Sequence, residues 1–129
     1  MPAYLTQEWH DEYKRISNAT QPERPGVGAR VQQVVTGGPE GDVKYYWVIE
    51  EGNLLECQLG DLPDPEFTIT MKYADSVAVQ KGDIDPNAAF MQGRVKVTGN
   101  MAKLMSLLPL TNSPEYRALQ EQIREITEF

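Results

Sequence analysis

Gly82-Asp83-Ile84-Asp85-Pro86-Asn87-Ala88-Ala89-Phe90-Met91-Gln92-Gly93-Arg94-Val95-Lys96-Val97-Thr98-Gly99-Asn100-Met101 sets three structural signals side by side in twenty consecutive residues. Asp85-Pro86 places a capping carboxylate before a proline at the first helical position, which predicts a short helix to about Met91. From Gly93 to Thr98 the residues alternate, with Val95 and Val97 on one face and Arg94, Lys96 and Thr98 on the other, the period of a short strand. Asn100 then caps a helix through Leu108, ended by Pro109. Helix and strand are therefore both present in this half of the chain.

Upstream, Thr6 caps a helix to about Asn18, whose apolar stripe is Leu5, Trp9, Tyr13 and Ile16. Two prolines and a glycine break regular structure between Gln21 and Gly26. Strands are predicted over Ala29–Thr36, Val43–Glu50, Leu54–Leu59 and Phe67–Lys72, with turns at 37–42 and 51–53. A short helix from Asp75 to Lys81 stops at Gly82, and Ser113-Pro114-Glu115 opens a last helix with its stripe at Tyr116, Leu119, Ile123 and Ile126. This order predicts an α+β fold. A five-stranded twisted mixed sheet, mostly antiparallel, carries helices on one face and leaves the other to solvent. The two short helices read as a crossover, which makes the last two strands parallel. A single domain over residues 1–129 is expected from the length.

The formal charge of −7 excludes the basic surface that nucleic acid requires and disfavours standing adsorption to an anionic membrane, leaving at most transient contact. No apolar run reaches the roughly 20 residues of a membrane span. Met1-Pro2-Ala3-Tyr4-Leu5 reads as no signal peptide and Ile126-Thr127-Glu128-Phe129 as no peroxisomal address, so a cytoplasmic location is expected. One cysteine forms no internal disulfide.

Residues for bond chemistry are sparse. His10 falls on the polar side of the first helix, and one His with one distant Cys makes no zinc site, so neither metal nor cofactor is expected. Cys57 shares a strand face with Leu55 and Leu59, which predicts a buried, inert thiol and no catalytic residue. Pro25-Gly26-Val27-Gly28-Ala29 lacks both a preceding strand and a third glycine, so it is no dinucleotide loop. Near the C-terminus Met101, Leu104, Met105, Leu107, Leu108 and Leu110 fall within ten residues, wider than one core-facing stripe. Composition leaves two readings open here, a fully buried helix or the wall of an apolar cavity suited to varied ligands.

The run from Gly82 to Met101 closely resembles the signature of sterol carrier protein 2 domains, including Asp85-Pro86, Ala89-Phe90-Met91-Gln92-Gly93, the alternating basic and apolar residues, and Gly99-Asn100-Met101. The leading helix with Trp9 is similar to small stand-alone bacterial members. The resemblance implies helices covering a five-stranded sheet, with a tunnel between them that binds sterols, fatty acids, acyl-CoAs or other lipids without chemistry. It implies inward-facing Phe90 and Met91, and Gln92 as an amide near the tunnel for a ligand's polar head or for nearby backbone. The expected lining adds Trp9, Val35, Trp47, Leu55, Phe67, Ile69, Met101, Leu104, Met105, Leu108, Ile123 and Ile126. Where animal members commonly carry Ala and Lys, this chain has Leu104 and Ser106, a change that narrows the tunnel or moves its mouth. Two other readings of the same pocket are a cofactor-independent cyclase or isomerase using Gln92, Tyr45 or Glu56, and an interaction module with a collapsed cavity that pairs with a partner enzyme or with itself.

Overall fold

The computed structural model describes residues Met1–Phe129. Helix α1 (Gln7–Thr20) starts where its cap requires: the Thr6 hydroxyl accepts from the Trp9 amide at 3.3 Å. Strands β1 (Ala29–Gly38), β2 (Gly41–Glu50) and β3 (Asn53–Leu59) form an antiparallel meander. Strand β4 (Phe67–Lys72) lies parallel to β1, and β5 (Val95–Gly99) closes the sheet, whose order is β3-β2-β1-β4-β5. Helices α2 (Tyr73–Lys81), α3 (Pro86–Met91), α4 (Met101–Leu107) and α5 (Pro114–Ile126) complete an α+β fold, with a 3-10 turn at Leu108–Asn112 between the last two.

Strands β4 and β5 are antiparallel, with Phe67 opposite Gly99 and Met71 opposite Val95, not parallel as the crossover reading expects. A parallel return needs the connection to travel the length of the strand. Here α2 begins directly after Lys72, and Gly82, in the left-handed region at φ 83°, reverses the chain into α3. The helical pair therefore comes back to the end it left. The parallel pair is β1 with β4, and residues 60–66 make the passage across the sheet face opposite the helices. There the Gln32 side chain donates to the Tyr45 and Gly60 carbonyls and accepts from the Leu62 amide at 2.6 Å. Gln32 and Leu62 are consequently buried on a face expected to be wet.

Close approach explains one of the signature glycines. Gly99 has φ 112°, and a Cβ there would lie 2.7 Å from the Glu66 carbonyl oxygen and 2.8 Å from the Phe67 Cα. Gly99→Ala is expected to lower stability by about 1–3 kcal/mol through strain at this pairing. The measurement is the urea midpoint, which should fall at unchanged slope.

Most buried apolar side chains fall into two groups. One joins Trp9, Tyr13 and Ile16 of α1 to Val35, Tyr45, Leu54, Leu119 and Ile123; the other joins Ala29, Val31 and Phe67 to Leu104. The helical side of the sheet is thus filled at two places rather than continuously.

Candidate ligand-binding cavity

Between the sheet and the helices lies a cavity of about 550 Å³, lined by members of both core groups. That volume is within the range of roughly 300–1,000 Å³ that holds a small organic ligand. Its floor is the inward face of the strands, where period-two alternation presents Val31 and Gln33 of β1, Trp47 and Ile49 of β2, and Phe67 and Ile69 of β4. The walls are Phe90 of α3, Leu104 and Leu107 of α4, Leu108 and Leu110 beyond it, and Tyr13, Tyr116 and Leu119 of α1 and α5. Since 24 of the 39 lining residues are hydrophobic, the space solvates an apolar body better than a polar one.

Charge is confined to Arg24, Asp85, Arg117, Glu121 and Arg124. Asp85, Arg117 and Glu121 are exposed and therefore mark the mouth. Three arginines against two acids make this lining cationic in a chain of net charge −7. Arg124 is positioned by its Nε, which donates to the Gln80 carbonyl at 2.9 Å, with its guanidinium packed over Gly82. Deeper groups are neutral and mutually bonded: Gln80 Nε2 donates to Gln120 Oε1 at 2.9 Å, and Gln120 Nε2 donates to the Tyr13 hydroxyl at 2.7 Å. Burial raises Tyr13, Tyr45 and Tyr116 above the ordinary phenol value, so these hydroxyls keep their protons.

The expected lining residues are distributed unevenly. Trp9, Trp47, Phe67, Ile69, Phe90, Leu104 and Leu108 meet in the cavity wall. Val35 and Ile123 are buried in the core group beside it and Ile126 packs against that group, but none of the three borders the space. Met91 is 82% exposed, contrary to its expected inward orientation; Met101 at 42% and Met105 at 54% also project outward. Helix α4 places Leu104 inward, and a residue one position along is turned about 100° from it, which carries Met105 to solvent. Gln92 is exposed too, its Oε1 accepting from Arg94 Nε at 2.8 Å.

Leu55 is 47% exposed because β3 carries a bulge. Val48 pairs with Glu56 but Ile49 pairs with Leu54, so Leu55 is the extra residue and its neighbour Leu54 turns inward. Cys57 is buried opposite Trp47, while Leu59 near the strand end is exposed. Burial pushes the Cys57 thiol up to about 12. His10 is fully buried rather than polar-facing, its Nδ1 3.4 Å from Cys57 Sγ and its ring 4.6 Å from that of Tyr45. Desolvation lowers it to about 4, against a smaller upward pull from Asp11. The fold thus brings a histidine and a cysteine together, both neutral near pH 7. No group of three or more His, Cys, Asp or Glu side chains is placed to hold a metal ion.

Sequence reasoning missed Gln33, Leu54, Tyr13, Tyr116 and Gln120. A signal for Gln33 was present, since it interrupts the apolar face that Val31 and Val35 define. On α5 the apolar stripe marks Tyr116 as inward, whereas Gln120 has no such signal and depends on how that helix is docked.

A model of the SCP-2 sterol transfer family matches residues 11–112. The chain belongs to the SCP-2 sterol transfer family. Sterol carrier protein 2 of Gallus gallus is 43% identical over 110 residues, covering 81% of this chain and 20% of the chicken protein. The chain spans 15% of the corresponding proteins of Rattus norvegicus and Homo sapiens. Among solved structures, a conserved hypothetical protein of Thermus thermophilus, described as possibly a sterol carrier protein, aligns with a TM-score of 0.70 at 18% identity, covering 97% of this chain and 90% of that one. The solution structure of palmitated sterol carrier protein 2 like 2 from Aedes aegypti aligns with a TM-score of 0.65 at 16% identity, covering 84% and 96%. At these identities the structures establish the SCP2-like fold. Membership of the SCP-2 family supports lipid binding or transfer in general. No helix of this chain is long and apolar enough to cross a membrane.

Proposed function

We propose that the chain binds a single-chain amphipathic lipid of the fatty-acid type, apolar body in the cavity and anionic head beside the arginines of its lining, and carries it without chemical change. The observation that carries this reading is the pairing of a 550 Å³ apolar space with Arg24, Arg117 and Arg124 around it. Side chains facing a void forfeit dispersion contacts on that side, and a bound chain restores them. Burial of apolar ligand surface supplies the driving force, at roughly 25 cal/mol per Å². The guanidinium groups supply orientation, because charge-assisted hydrogen bonds to a carboxylate are directional. A carrier role agrees with the site chemistry: burial moves His10 down to about 4 and Cys57, Tyr13 and Tyr45 up, all away from neutral pH, whereas a general acid or base works best with a proton affinity matched to the operating pH. A mosquito protein of the same fold is described as palmitated, which agrees with an acyl ligand.

Native mass spectrometry of the purified protein, followed by organic extraction, is expected to find a bound lipid or to show uptake of added stearic acid. Leu108→Trp, which enlarges a half-buried wall residue into the space, is expected to weaken stearic acid binding at least about tenfold, equivalent to about 1.4 kcal/mol. A folded Leu108→Trp protein with undiminished affinity would place the ligand elsewhere.

A further inference from the structure

Gln33 is the one cavity-floor amide whose nitrogen has no partner among the side-chain hydrogen bonds of the fold. Its residue is 8% exposed and borders the cavity, on the apolar face shared with Val31. Its Oε1 accepts from the Tyr45 hydroxyl at 2.8 Å. That bond determines which way the amide points. The Tyr45 hydroxyl has no other acceptor, so its proton must go to the Gln33 oxygen, and the nitrogen turns away from Tyr45. Its donors are not sealed in the core either: only His10 Nε2 and Trp47 Nε1 are buried side-chain atoms without a partner, so Gln33 Nε2 opens to the cavity it borders.

We propose that Gln33 is a specificity residue, donating from Nε2 to a neutral acceptor oxygen on the part of the ligand that lies inside the cavity. The inference rests on the lipid-binding reading and narrows it to an oxygenated chain: an acyl chain bearing a carbonyl or hydroxyl away from its head group. The physical reason is asymmetric. A buried donor facing a plain hydrocarbon stays unpaired, whereas an acceptor at the right depth pairs it and recovers the lost hydration. A neutral oxygen suits the position because the strand neighbours of Gln33 across the floor, Tyr45 and Ile69, carry no positive charge. Tyr45 is a positioning residue in this arrangement, acting only through the amide.

The test compares stearic acid with a series of ketostearic acids that carry the carbonyl at different distances from the carboxylate, each measured by competition with a fluorescent fatty acid. The native chain is expected to bind at least one ketostearic acid about three- to tenfold more tightly than stearic acid. In Gln33→Leu the preference should disappear, with stearic acid bound at least as tightly as by the native chain. Tyr45→Phe should reduce the ratio of ketostearic to stearic acid affinity, because the amide loses the hydroxyl that orients it. Gln33→Met, closer in shape, decides the matter if Gln33→Leu does not fold. A preference that survives at Gln33→Met, or ketostearic acids that all bind the native chain more weakly than stearic acid, overturns the inference and leaves lipid binding intact. Failure of stearic acid and every ketostearic acid to bind removes the proposed function with it.

Discussion

Lowering the pH from 7 to 4 is expected to destabilise the fold by about 3 kcal/mol through His10 alone. The imidazole is fully buried against Cys57, Tyr45 and Trp9, and desolvation holds it at about 4 in the folded chain. An unfolded chain returns it to about 6.5. Between these values the unfolded state binds the extra proton and the folded state does not, so stability falls as pH falls. The contribution is fully present above about 6.5, is lost progressively down to about 4, and then levels off. The gap of about 2.5 units at roughly 1.4 kcal/mol each sets the magnitude. The check is urea unfolding across this pH range for the native chain and for His10→Phe, which fills similar space without titrating. The variant should lack this part of the slope. Equal slopes in the two proteins would show that carboxylates, not His10, account for acid sensitivity.

Trp9→Ala is expected to lower the unfolding free energy by about 3–5 kcal/mol, the range for an aromatic truncated in a packed core. Trp9 touches more than one layer of the molecule. Its ring lies 5.0 Å edge-on from Tyr4 and 5.4 Å from Tyr13, and its Nε1 donates to the Thr127 hydroxyl at 2.8 Å. That hydroxyl in turn donates to the Ile123 carbonyl in α5. The indole therefore ties α1 to the end of α5 and holds both against the sheet. Truncation leaves a cavity beside the existing one and an unpaired acceptor on Thr127. Trp9→Phe keeps most of the ring packing and loses the hydrogen bond, so it should fall between native and alanine. A loss below about 1 kcal/mol for Trp9→Ala, read from the midpoint at unchanged slope, would show that α1 is not docked through this residue.

Much of the architecture is legible locally because its signals are local. Asp85 before Pro86, Asn100 before Met101 and Ser113 before Pro114 each cap the helix their order predicts, with side-chain oxygens accepting from backbone amides. Alternation at Val43, Tyr45, Trp47 and Ile49 identifies the inward face of β2 before any fold is known, because strand period is a property of the backbone. Errors arose where one residue's position depends on a distant strand. Leu54 and Leu55 are indistinguishable in sequence; the bulge opposite Val48 and Ile49 chooses between them. Val95 and Val97 read as strand correctly, but nothing in their spacing carries the direction of β5 relative to β4.

The candidate site divides along the same line. Phe67, Ile69, Leu104 and Leu108 are available from period and composition, since burial of apolar side chains is a rule about residue type, and Phe90 from the family resemblance. The resemblance implies an inward Met91, a lining that includes Met101 and Met105, and Gln92 near the tunnel, yet all four side chains are exposed on or beside short helices. Gln33 lay in plain view as a polar interruption, and only the Tyr45 hydroxyl at 2.8 Å makes it an oriented donor. By itself the sequence determined the elements, the inward faces of β2 and β4, and the family, because caps, alternation and the run from Gly82 to Met101 act over a few residues. Strand direction, the bulge, the burial of His10 and the placing of Gln33 were decided by tertiary structure, because each rests on contacts between segments far apart in the chain.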